Sequence, residues 1–237
     1  MLKKVPALLL VCALPLQAEE AKEADTAKPV DPLESINRKV FVFNDGLDRF
    51  LLKPAAKSYR FVTPDPVEDG ISNFFSNVGE VGNVANDVLQ GKGKQAGKDS
   101  ARFVINLVLG LGGLVDVASD MGIKKSDGED FSQTLATWGV PRGPYLVVPF
   151  LGPSTVRDAG SRVVDSFTSP VRYIDDVSAR NTLVGLDLLD TRASLLDAEE
   201  LLKGDKYLLI RDIYLQRRDY LESDGAVEDD FGDFEDY

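Results

Sequence analysis

With 237 residues the chain has room for one large domain or two small ones, and 43% hydrophobic with 28% charged residues is the composition of a folded protein. A formal net charge of −12 argues against nucleic acid as a partner, because phosphates need a basic face. The chain has no histidine, which removes imidazole general bases, Ser-His-Asp triads and His-ligated metals and leaves nucleophilic chemistry to Ser, Thr, Lys or carboxylates; no catalytic residue, metal or cofactor is assigned.

The N-terminus carries Lys3 and Lys4, then an apolar run from Val5 to Leu16 broken by Pro6 and Pro15. It is too short to span a bilayer and reads as a secretory signal, residues 1–18, cut after Ala18. The single cysteine, Cys12, offers a second route as a lipid acceptor, although Val11 is bulky for the residue before an acylated cysteine. Residues 19–30 are rich in Ala, Glu and Lys and read as a polar linker.

A folded domain is expected over 31–221. It opens with Asp31-Pro32-Leu33-Glu34, and Asp65-Pro66-Val67-Glu68 repeats the pattern: Asp as N-cap, Pro in the first turn, Glu as capping-box acid. From Leu33 to Leu51 the apolar residues keep helical spacing, and Pro54 should end that helix. A second amphipathic helix follows from Pro66 to about Val78, then helices near 80–90, stopped by Gly91, and 94–109, stopped by Gly110. The apolar stretch Leu107–Val115 falls well short of the ~20 residues of a spanning helix. Phe131–Trp138 is a short helix, and others are expected near 155–166, 181–196, 197–203 and 206–222. No sustained two-residue alternation bounded by hairpin turns appears, so the fold class is all-α with one irregular insertion. Residues 222–237 hold eight carboxylates and no Lys or Arg, and read as an acidic disordered tail.

The insertion is the most distinctive segment. Trp138 to Pro153 combines prolines at 141, 144, 149 and 153 with glycines at 139, 143 and 152, and only Arg142 is charged. Loops are ordinarily polar because their backbone must meet water. An apolar loop needs a core, a partner or lipid beside it. Asn37, Asn44, Asn77, Asn83, Asn86 and Asn106 allow two readings: local backbone bonding, or a polar lining along a water-filled path. Asn106 discriminates between them, as a buried bond to backbone or as a side chain facing a cavity. Arg157-Asp158 reads as a local pair with Arg157 on the surface, or as a contact to lipid phosphate. The basic glycine run Gly91–Gly97 reads as a turn, with phosphate binding at the following helix as the alternative.

Several blocks together resemble the MlaA (VacJ) family of outer-membrane lipoproteins: Asp31-Pro-Leu-Glu34, Asn37-Arg38, Phe43-Asn44-Asp45, Asn73-Phe-Phe-Ser-Asn77, Arg102-Phe-Val-Ile-Asn106, Gly110–Gly113 with Asp116, and Trp138-Gly-Val140 through Arg157-Asp158. The resemblance implies a ring-shaped helical domain embedded in the periplasmic leaflet of a Gram-negative outer membrane. It also implies an amphipathic channel that takes mislocalised phospholipid from the outer leaflet to a periplasmic carrier, MlaC, beside a trimeric porin. Within such a ring Gly139 and Gly143 are hinge candidates, and Val140, Tyr145, Leu146 and Val148 are candidates to contact ring or lipid. Phe41, Phe43 and Asn44 are channel-access candidates, and Asn106 is the polar-lining candidate. A periplasmic adaptor that docks a membrane-protein partner without moving lipid is the alternative, and a phospholipid hydrolase using Ser or carboxylates is a third.

Overall fold

The computed structural model describes residues 31–199 and 203–226; the signal with Cys12 and Ala18, the linker, and the tail from 227 onward lie outside the described residues. The first helical stretch comprises α1 (Glu34–Leu47), a π turn (Asp48–Leu52) and α2 (Lys53–Val62). Pro54 does not end it. In a regular helix its ring would meet the carbonyl four residues back. The π turn immediately before it widens the ladder, with the Lys53 N–H donating to the Asp48 carbonyl, and the chain stays helical.

α3 (Asp65–Gln90) is one helix where two were expected. It ends at Gly91, whose φ of +78° closes the last turn in the left-handed conformation that glycine adopts without steric cost. α4 (Gly93–Val108) returns alongside it, and the turn that follows requires Gly110, where a Cβ would sit 2.1 Å from the Val115 carbonyl oxygen. After α5 (Val117–Asp120) and α6 (Phe131–Thr137), the Gly/Pro segment forms two short antiparallel strands, β1 (Tyr145–Val148) and β2 (Gly152–Thr155), with Tyr145 opposite Thr155. α7 (Val156–Thr168), a 3-10 turn (Pro170–Tyr173), α8 (Val177–Ser194), α9 (Leu196–Glu199) and α10 (Lys206–Glu222) follow among the described residues. The all-helical reading holds apart from this one hairpin.

Neither Asp-Pro start forms a capping box. At the first, the position before the helix is Leu33, while Asp31 accepts from the Leu33 N–H and Glu34 binds Arg38. At the second, Pro64 holds that position and no side chain caps the helix. Glu222 belongs to α10, where it pairs with Arg142 and Arg157, so the polar tail begins beyond it.

The packed elements close a circuit. α1 lies on β1, β2 leads into α7, α7 meets α3, α3 meets α8, and α8 returns to α2. Polarity along this circuit is inverted relative to a water-soluble domain. Among the described residues the buried apolar side chains are few: two small clusters, Ala56–Ala193–Leu196 and Tyr145–Val147–Tyr207, with Ala96 and Ala118 apart from them. The largest fully buried side chains include Arg102, Glu80, Asn86, Asp87 and Asp99. Large apolar residues point outward instead, with Phe61 89% and Phe50 81% exposed on α2 and the π turn, and Leu107, Val108, Leu109 and Leu111 exposed where α4 ends. No helix among the described residues is long and apolar enough to cross a membrane.

Candidate functional site

Two asparagines of α1 hold the Gly/Pro hairpin. They are seven residues apart, two helical turns, so both point along one face. Asn37 is buried; its Nδ2 donates to the Tyr145 carbonyl at 3.1 Å and to Asp31 at 2.9 Å, and its Oδ1 accepts the Val147 N–H at 2.9 Å. Asn44 repeats the arrangement further along, donating to the Val148 carbonyl at 3.0 Å and accepting the Phe150 N–H at 2.9 Å. A two-stranded ribbon leaves its outer edge unpaired. Here the amides of a helix replace the missing third strand.

The strand faces then separate. Tyr145 and Val147 turn inward, and the Tyr145 ring packs edge-on against Tyr207 and lies beside Tyr214. Burial pushes the Tyr145 phenol up to about 12. Leu146 and Val148 are half-buried on the other face. At the tip, Phe150 is 75% exposed and meets the Phe43 ring edge-to-face at 5.3 Å. Phe41 points the other way and packs on Tyr207. Phe43 and Asn44 therefore belong with the hairpin tip, and Phe41 with the core behind it.

The hinge candidates have positive φ, +83° at Gly139 and +73° at Gly143. Between them Val140 is fixed twice: its N–H donates to the Leu135 carbonyl, and its carbonyl accepts from Arg157 Nη1 at 2.9 Å. Arg157 is thus buried, contrary to its surface reading, and also reaches Ser132 and Glu222. Asp158 is buried beside it, bound by Ser132, Tyr214 and, at 3.2 Å, Arg218. Burial would raise the Asp158 carboxyl, but those hydrogen bonds and the Arg218 charge outweigh it and hold it below the usual range. Neither side chain is placed to bind lipid phosphate.

Asn106 does not line an open path. It is buried, donating to Asp116 at 2.9 Å and accepting the Ala118 N–H at 2.8 Å, which is the local-bonding alternative. It belongs to a buried network in which Arg102 bonds Glu80 at 3.2 Å, both Asp116 oxygens and Ser119. An open amphipathic cavity of about 330 Å³ lies elsewhere, between α3, α7, the 3-10 turn and α8. Phe75, Val78, Val171 and Leu183 supply its apolar wall, and Asp165 and Asp187 its polar one. Burial raises both carboxyls above their ordinary range. Sequence reading missed this cavity because its walls lie far apart in the chain. Among the described residues no group of three or more acidic or thiol side chains is placed to hold a metal.

The MlaA lipoprotein family pattern matches residues 29–221. The chain belongs to the MlaA family. It is 35% identical over 205 residues to the Escherichia coli (strain K12) intermembrane phospholipid transport system lipoprotein MlaA, covering 84% of this chain and 80% of that one. The Haemophilus influenzae protein of the same name is 33% identical over 228 residues, covering 93% of this chain and 90% of its own. A solved structure described under "Structural basis for maintenance of bacterial outer membrane lipid asymmetry" superposes with a TM-score of 0.71 at 34% identity, covering 81% of this chain and 98% of that one. The family is one of lipid-transport lipoproteins and not of enzymes.

Proposed function

We propose that this protein is the outer-membrane component of a phospholipid-trafficking system of a Gram-negative envelope. Its ring lies in the periplasmic leaflet, and mislocalised phospholipid leaves the outer leaflet through it for a periplasmic carrier, MlaC, beside a trimeric porin. The observation that carries this reading is the inverted polarity of the ring. Burying ion pairs while exposing Phe50, Phe61 and the end of α4 is unfavourable in water and favourable when the outside is hydrocarbon. With no helix among the described residues long and apolar enough to span, such a surface suits a protein seated in one leaflet. The cavity beside α3 and α8 offers an apolar wall for acyl chains, and its carboxyls, Glu129, Asp130, Asp165 and Asp187, suit a hydrogen-bond-donating amine rather than a bare phosphate. The printed names of the relatives point to the same role.

The test is purification of the full chain in mild detergent, followed by extraction and mass spectrometry of whatever travels with it. Intact phospholipid, together with a requirement for detergent to stay in solution, is the expected result. A lipid-free protein that stays monomeric without detergent would favour an adaptor that docks a protein partner. Free fatty acid or released headgroup would favour a hydrolase.

A further inference from the structure

At the head of α4 the chain builds a second cavity of about 540 Å³, away from the hairpin. Its walls come from the Gly91–Lys98 segment, the 126–129 loop, Gln133 of α6 and the end of α10. No side chain caps α4, a helix of sixteen residues, so its first-turn N–H groups and the positive end of its dipole are left to the cavity. A Cβ at Gly93 or Gly97 would meet nothing within 4 Å, so the backbone there is open to approach.

Three lysines and three carboxylates line the wall, so the charges balance in number, but the carboxylates are all taken. Glu129 is engaged by Gln90 and Lys92, Asp224 by Lys92, and Asp127 by Arg217 and Tyr220. Among the described residues Lys94 and Lys98 have no acidic partner, and both are exposed at the cavity. The remaining group is Gln133. It is 3% exposed, its Nε2 donates to the Gly128 carbonyl at 3.1 Å, and its Oε1 has no partner. A buried acceptor left unmatched costs about 1–3 kcal/mol, so a donor arriving there is favoured.

We propose that this cavity binds a phosphate group carrying a hydrogen-bond donor, with the phosphate oxygens on the first-turn N–H groups of α4, Lys94 and Lys98, and the donor on Gln133 Oε1. An ethanolamine or glycerol phosphoester of a lipid headgroup has both parts, and so does protonated inorganic phosphate. The site is independent of the translocation reading, because it requires only a water-soluble ligand.

The experiment is an NMR titration of the full chain in detergent, following the Gly93, Lys94 and Gln95 amides and the Gln133 side-chain amide. Glycerophosphoethanolamine and inorganic phosphate are the two probes. Saturable shifts confined to these positions are expected, with Lys94→Ala/Lys98→Ala weakening binding about tenfold or more through loss of two charge-assisted contacts. Both lysines are exposed, so that variant keeps its fold, and circular dichroism checks it. Lys57→Ala, on exposed α2, is the charge control and should leave binding unchanged. Tighter binding of glycerophosphoethanolamine assigns the site to a headgroup, and equal or tighter binding of inorganic phosphate assigns it to the free anion. No saturable shift with either probe, or equal weakening by Lys57→Ala, overturns the site. Neither negative result touches lipid transfer, which is read from co-purified phospholipid.

Discussion

The Oδ1 of Asn37 accepts the Val147 N–H at 2.9 Å, tying a helix near the start of the domain to a strand 110 residues later. With the Nδ2 bond to Tyr145, one amide satisfies two backbone groups on a buried strand edge. Asn37→Leu should therefore cost about 2–4 kcal/mol, since both groups and Asp31 lose a partner in a site closed to water. Asn44→Leu, further toward solvent, should cost about 1 kcal/mol. Chemical denaturation gives the two values, and amide exchange at Val147 should quicken in the first variant more than in the second.

Gly139 has a φ of +83°, and a Cβ there would meet nothing within 4 Å. Any penalty for a side chain is consequently backbone strain and not a clash. Gly139→Asn should be tolerated, because Asn enters the left-handed region at little cost, whereas Gly139→Val should cost about 1–2 kcal/mol or shift the hairpin. If the hairpin borders the lipid path, cells carrying Gly139→Val should clear outer-leaflet phospholipid poorly and become detergent-sensitive, with normal amounts of protein. Full detergent resistance in those cells would remove Gly139 from any hinge.

Some of this architecture was legible in the sequence because its causes are local. Gly91 stopped α3 as expected, since a left-handed closing residue is a property of one position. Pro54 does not end the helix because a π turn precedes it, and Asp48-Arg-Phe-Leu-Leu52 carries no residue pattern that announces such a turn. The strands were hidden for a different reason. Prolines at 149 and 153 spoil the alternation, and the outer-edge partners of β1 lie on α1. Arg157 looked like surface charge because its partners, Ser132, Val140 and Glu222, are brought to it only by tertiary packing. In the sequence Asn37 is one asparagine among several, although its spacing of seven from Asn44 marks a shared face.

Arg102 is almost wholly buried with Glu80 at 3.2 Å and Asp116 at 3.0 Å. Arg102→Met takes the cation from Glu80, which keeps Asn83, and from Asp116, which keeps Ser119 and Asn106, and should cost about 3–5 kcal/mol, the usual penalty for breaking a buried pair from one side. Burial would raise the Asp116 carboxyl, but hydrogen bonds from Ser119, Asn106 and Arg102 outweigh it and hold it at about 2. A carboxyl depressed by folding contributes stability that is present above its unfolded value near 4 and lost as pH falls through 2. Acid unfolding of Arg102→Met should accordingly begin from a lower plateau and show a shallower loss in that window. Denaturation midpoints between pH 5 and pH 2 measure both.

Asp87 supplies the opposite sign. It is fully buried on α3, and neither carboxylate oxygen has a hydrogen-bond partner. Burial, then the charges of Asp99 and Glu129, raise its carboxyl to about 7, against a smaller opposing effect of Lys92. A carboxyl raised by folding binds its proton more tightly in the native state. Its contribution is complete below the unfolded value near 4 and is lost as pH rises through about 7. The wild-type chain should thus lose stability between pH 4 and pH 8 by this route. Asp87→Asn keeps the shape, needs no proton, and can donate to Asp99. It should flatten that slope and raise stability at pH 8 by about 1–3 kcal/mol, the cost of a buried polar group left unmatched. Thermal unfolding at pH 5 and pH 8 separates the outcomes: a variant whose loss across that range equals the wild type's would place the titrating group elsewhere.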